Sequence, residues 1–175
     1  TTAAAAFSVA SADLDGDQDI DVLSASERDD TVAWYENDGA TFTAHIITTM
    51  ASGARSIASA DLDGDQDLDV LSASFTDNTV AWYENDGAAS PTFTPHVITR
   101  AALGAWTVAC ADLDGDQDID VLSASYWDNT VAWYENDGNA STFTPHAITT
   151  TAAAAFSVAS ADLDGDQDID VLSAS

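Results

Sequence analysis

The stretch Asp13-Leu14-Asp15-Gly16-Asp17-Gln18-Asp19-Ile20-Asp21 puts five carboxylates into nine residues. It recurs from Asp61 (with Leu68 at the eighth position), from Asp112 and from Asp162. These four nonapeptides hold 20 of the chain's 31 acidic residues. Five like charges at this spacing repel one another and oppose folding unless something offsets them. Acidity phased in this way differs from a generally acidic surface, where charge is scattered. Four divalent cations would bring the formal charge from −28 to −20. In the first loop Asp13, Asp15, Asp17 and Asp21 offer hard oxygen ligands, and Asp19 offers its backbone carbonyl. The same reading applies to Asp61, Asp63, Asp65, Asp67 and Asp69, to Asp112, Asp114, Asp116, Asp118 and Asp120, and to Asp162, Asp164, Asp166, Asp168 and Asp170.

An all-oxygen set of this kind suits calcium, which accepts 6–8 oxygens in flexible geometry. Magnesium demands a stricter octahedron, and zinc prefers His or Cys, neither of which is near. An EF-hand loop begins in the same way but needs a bidentate Glu at its twelfth position and flanking helices. That position here is Ser24, Ser72, Ser123 or Ser173, and the flanks read as strands. One calcium ion per repeat, up to four, is the cofactor expected.

Outward from the loop, everything else repeats too. Ile20 to Ser26 is followed by Thr31-Val32-Ala33-Trp34-Tyr35-Glu36-Asn37-Asp38-Gly39, then by Thr41 to Thr48. The units run over 2–49, 50–100 and 101–150, with a half unit over 151–175; residues 2–26 and 151–175 are identical. Each unit reads as four short strands: Phe7 to Ala12, Ile20 to Ala25, Thr31 to Glu36 and Phe42 to Ile47. Asn37-Asp38-Gly39 is a hairpin signal. No segment carries a helical apolar stripe, and Ala3 to Ala6 reads as loop because its counterpart is Ala51-Ser52-Gly53-Ala54. Four strands per 40–50 residues predict an all-β chain, a β-propeller of four-stranded antiparallel blades with about three and a half blades present.

The order of strand, Asp loop and strand, with DLDGDQD and WYENDG, resembles the FG-GAP/VCBS repeats, the calcium-binding blades of integrin-α-like propellers and of many secreted proteins. The resemblance covers the whole chain and implies the ligand set given above. It departs at the sixth loop position, where the family usually has Gly and this chain has Gln18, Gln66, Gln117 and Gln167. A Gln held at positive φ costs roughly 1 kcal/mol. The resemblance also implies an extracellular or cell-surface setting and a role in binding or adhesion.

Composition excludes other classes. Three arginines (Arg28, Arg55, Arg100) and no lysine leave no basic patch for nucleic acid or anionic membrane. No apolar run reaches membrane-spanning length. One cysteine, Cys110, forms no intrachain disulfide and stands where the other repeats have Ser11, Ser59 and Ser160. His45, His96 and His146 recur once per blade and are expected to stay apart. The Trp34-Tyr35, Trp82-Tyr83 and Trp133-Tyr134 pairs read as packing between blades. No nucleophile motif, phosphate loop or singular acid–base pair is present, so no catalytic site is expected.

Variation between the units falls in two connections on the side opposite the Asp loops. One reads Glu27-Arg28-Asp29-Asp30, Phe75-Thr76-Asp77-Asn78 and Tyr126-Trp127-Asp128-Asn129; the other leads into Phe7, Arg55, Trp106 or Phe156. Arg28, Arg55, Phe75, Trp106, Tyr126 and Trp127 are therefore the candidate ligand-binding residues, expected to be exposed, for a carbohydrate or protein partner. A purely structural repeat of a surface coat or appendage, and a non-catalytic part of a larger secreted enzyme, are the alternatives. Fourteen strands leave the ring incomplete, so a segment of a longer array, or completion by self-association or further chain, is expected.

Overall fold

A computed structural model describes residues 3–175. Its strands are β1 (Ala6–Ala12), β2 (Asp21–Ser26), β3 (Thr31–Asn37) and β4 (Phe42–Thr48); β5 (Ala54–Ala60), β6 (Asp69–Ser74), β7 (Thr79–Asn85) and β8 (Phe93–Thr99); β9 (Ala105–Ala111), β10 (Asp120–Ser125), β11 (Thr130–Asn136) and β12 (Phe143–Thr149); and the hairpin β13 (Ser157–Ala161) and β14 (Asp170–Ala174). Each group of four forms one antiparallel sheet in sequential order. The described residues contain no helix, and none therefore long and apolar enough to cross a membrane. These are propeller blades, three whole and one half, in an arc that is not closed.

The stacking order follows from side-chain size. The first strands, such as Ser56-Ile57-Ala58-Ser59-Ala60, carry small residues, and β1, β5, β9 and β13 lie side by side at the narrow inner end. The second strands of the three whole blades are covered on both faces, which is why Val70-Leu71-Ser72-Ala73 is small or apolar without alternation. Val70 faces the blade before and Leu71 the blade after. Trp34 packs in one cluster with Ala81 and Tyr83 of the next blade, and Trp82 with Tyr134. The Trp-Tyr pairs thus hold neighbouring blades together, as the sequence indicates. Tyr83 and Tyr134 also reach the hydroxyls of Ser72 and Ser123, at 3.1 and 3.2 Å.

Both ends of the arc are open. Val9 is 69% exposed, whereas its counterparts Ile57, Val108 and Val158 are 6%, 4% and 5% exposed. At the other end Leu163 and Leu172 are exposed although Leu62 and Leu71 are buried. The second strand begins one residue later than the sequence suggests, at Asp21 in place of Ile20. Asp21 pairs with Ala12 across the ladder, and Ile20 stays outside it and exposed.

Candidate metal centre and the opposite face

The loops between the first and second strands of each sheet are wound around their own first aspartate. Asp13 accepts the Gly16 N–H at 2.8 Å and the Gln18 N–H at 3.0 Å, one on each carboxylate oxygen. Asp61, Asp112 and Asp162 do the same. Aiming both amides at one carboxylate requires left-handed backbone twice. Gly16 sits at φ 75° and Gln18 at φ 76°, and the other loops repeat the pair. The sixth position therefore needs positive φ, and the four glutamines carry that strain. Asp15 accepts the Asp17 N–H and Asp17 the Asp19 N–H, which winds the loop further.

The last aspartate closes the loop from within the ladder. Asp69 is fully buried; one of its oxygens accepts the Leu62 N–H at 3.0 Å and the other the Asn85 N–H at 2.9 Å. Burial pushes the Asp69 carboxyl up to about 7 despite these two donors. Burial likewise raises Asp120, and the third-position Asp15, Asp63 and Asp114. Among the described residues none of these carboxylates forms an ion pair with a positive side chain.

Carboxylate oxygens of Asp13, Asp15 and Asp17 come within 4.8 Å of one another, as do those of Asp162, Asp164 and Asp166. In the second and third loops the same holds for Asp61, Asp63 and Asp69 and for Asp112, Asp114 and Asp120. Positions one and three thus meet in every loop, joined by position five in the first and fourth and by position nine in the second and third, with hard oxygen donors and no His or Cys. Such a cluster can hold a metal ion. The seventh-position side chains turn elsewhere. Asp67 lies against Gly87 and Asp118 against Gly138, so closely that a Cβ on either glycine would overlap the carboxylate. Asp19, Asp67, Asp118 and Asp168 are not among the clustered carboxylates.

Sequence reasoning missed the asparagine of the hairpin between the third and fourth strands. Asn85 and Asn136 are buried, and through their N–H groups they hold Asp69 and Asp120. The signal was present in the repeated Glu-Asn-Asp-Gly, but a turn motif conceals a buried role. The histidines stay apart: each stacks on its own tryptophan, as His45 on Trp34 with centroids 4.6 Å apart, and contacts its own glutamate, as His45 on Glu36 at 2.8 Å.

At the other end of the blades the ladder between first and second strands skips one residue. Ala6 pairs with Ser26 and Ser8 with Ala25, leaving Phe7 unpaired; Arg55 and Trp106 are skipped in the same way. A bulge re-aims its extra side chain. These three, with Phe75, Tyr126 and Trp127, meet in one cluster. The Arg55 guanidinium lies 3.6 Å from the Phe75 ring centroid, 4.0 Å from Trp106 and 5.2 Å from Phe7. Its Nη2 donates to Glu27, while Nε and Nη1 are buried and unpartnered. Phase differs from expectation here: Arg55, Phe75 and Trp106 are half-buried against one another, because stacking on the guanidinium covers them. Tyr126 and Trp127 are exposed. Arg28 is exposed and takes no part in the aromatic contacts; its backbone N–H bonds to Ala4.

The model of the FG-GAP-like repeat matches three overlapping stretches, residues 13–72, 61–123 and 112–173, each running from one Asp loop through the next. The chain belongs to the FG-GAP repeat family. Among solved structures, the FG-GAP arc is similar to one described as an Agrocybe aegerita lectin with specific recognition of non-reducing terminal N-acetylglucosamine. The TM-score is 0.58 at 18% identity, and the match covers 95% of this chain and 42% of that one. The FG-GAP chain thus spans less than half the length of that neighbour, and the likeness is one of fold. Comparison with curated proteins gave no match.

Proposed function

We propose that this chain is a calcium-stabilised, non-enzymatic propeller module that works outside the cytoplasm in binding or adhesion. One observation carries the calcium reading: in every loop three aspartates bring carboxylate oxygens within 4.8 Å of one another, and in the second and third loops the buried ninth is among them. A divalent cation there supplies the positive charge that the clustered carboxylates lack. Asp13, Asp15, Asp17 and Asp21, and their counterparts in the other loops, would hold it. The extracellular setting rests on calcium being plentiful there and on the family.

The binding reading rests on the bulge residues. Phe7, Arg55 and Trp106 break an otherwise uniform repeat at one end of the arc, and Tyr126 and Trp127 present exposed rings beside them. Aromatic faces edged by polar groups suit sugars as well as protein surfaces. The lectin neighbour supports a carbohydrate by its fold alone. The open sides bearing Val9 and Leu172 would be covered by further blades of the same type, from more chain or a second copy.

Calorimetric titration with calcium tests the first reading; saturable binding of up to four ions is the expected result, and no heat up to millimolar calcium overturns it. A glycan array probed with the native chain and with Arg55→Ala tests the second. Sugars bound by the native chain and lost in the variant support it. Equal signals from both move the ligand site elsewhere.

A further inference from the structure

We propose that the cation loops of adjacent blades are coupled, and that Asn85 and Asn136 are the positioning residues that couple them; this rests on the calcium reading above. The Asn85 Nδ2 group donates at 2.8 Å to the carbonyl of Leu14, which lies inside the first blade's loop between Asp13 and Asp15. It also donates to the Leu68 carbonyl in its own loop, at 3.1 Å. The backbone N–H of Asn85 holds Asp69, the closing carboxylate of the second loop. Leu14 in turn gives its N–H to Asp21, the closing carboxylate of the first loop, at 2.9 Å. A single line of hydrogen bonds therefore runs from Asp21 through Leu14 and Asn85 to Asp69.

The line continues. Asp69 accepts from the Leu62 N–H, the Leu62 carbonyl accepts from Asn136 Nδ2 at 2.7 Å, and the Asn136 N–H holds Asp120 at 2.8 Å. Leu14, Leu62, Asn85 and Asn136 are all 3% exposed or less, so water offers no substitute partner if a bond is stretched. Asp13 and Asp15 cannot shift toward an ion without turning the Leu14 peptide between them. Asn85 must follow that peptide and carries Asp69 with it. A loop set by its cation thus fixes the acceptor that positions the next loop's closing ligand, and the coupling is favourable in both directions.

The repeat supplies its own controls. Asn37 occupies the same place in the first blade, yet its Nδ2 donates only to Ile20 of its own loop. The fourth loop lies within the half blade, between β13 and β14, and among the described residues no such asparagine joins it to the third. Each loop also carries a separate reporter, because Gly16, Gly64, Gly115 and Gly165 give their N–H to that loop's first aspartate.

The experiment is a calcium titration of the whole chain followed by NMR at those four glycine amides. In Asp63→Asn, which disables the second loop, the midpoints at Gly16 and Gly115 should rise by about fivefold or more. The Gly165 midpoint should stay put. Adding Asn85→Ala to Asp63→Asn should produce no further rise at Gly16, while Asn85→Ala alone should already raise it. Asn37→Ala should raise the Gly16 midpoint without altering how Gly16 responds to Asp63→Asn. Should Asn85→Ala fail to fold, Asn136→Ala puts the same question to the second and third loops. Four loops that load independently of Asp63→Asn would overturn the coupling and leave the calcium reading standing. Amides that do not move in millimolar calcium would overturn both.

Discussion

At one end of the blades, Asp13, Asp61, Asp112 and Asp162 each collect two loop N–H groups in the same geometry, from sequences that scarcely vary. At the other end, Phe7, Arg55 and Trp106 occupy equivalent bulges with two different aromatic rings and a guanidinium. The first end is constrained because the first aspartate of each loop holds two backbone N–H groups, which fixes the loop around it. The second is tolerant because the skipped residue belongs to no ladder pair. One set of strands therefore supports a fixed electrostatic end and a variable aromatic end.

Removing the cation should separate the two ends most strongly. At calcium 100 times the dissociation constant each loaded site adds about 2.7 kcal/mol. For a domain of this size 1 kcal/mol is worth roughly 2–4 °C. Chelation should lower Tm by roughly 20–40 °C if all four loops load, as read by differential scanning calorimetry. A Tm unmoved by chelator would mean that the uniform end is not a metal end at all.

Asp69→Ala should come next. It leaves the Leu62 and Asn85 N–H groups buried without acceptors, and the loss should be about 3 kcal/mol in urea unfolding. Asp170→Ala, at an exposed copy of the same position, should lose much less. Equal losses would show that burial does not distinguish these loops.

Gly87→Ala tests how closely the hairpin is fitted to the loop. Its φ of 64° and the Asp67 carboxylate both oppose a Cβ, and about 2 kcal/mol should be lost. Gly64→Ala meets open space and carries only the conformational term, near 1 kcal/mol. At the variable end Arg55→Ala should cost about 1–2 kcal/mol, since three rings lose their cation. It should leave calcium affinity unchanged; a fall in affinity would mean the two ends are not independent. Gln66→Gly should be the smallest change, a gain below ~1 kcal/mol from relieving φ 78°. A loss would mean that the Gln side chain contributes something the backbone does not reveal.

The fold was legible because the strands repeat. Thr31 to Asn37 alternates between the faces toward the blades before and after, and three copies make that alternation plain. The aspartate clusters were legible because like charges so dense need an explanation. Two things were hidden. Asn85 bridges blades 71 residues apart from Leu14, and no local pattern reveals so distant a partner. The mutual burial of Arg55, Phe75 and Trp106 depends on bulges, whose skipped residue looks like any other strand residue in sequence. Exposure was therefore expected where stacking prevails.

The skipped position has an evolutionary reach beyond this chain's own side chains. Register is kept by the residues on either side, as Ala54 with Ser74 and Ser56 with Ala73. The residue between them is an interchangeable slot, and one recurs in each of the three whole blades. New side chains can be installed there one blade at a time, with the scaffold and its aspartate loops left as they are.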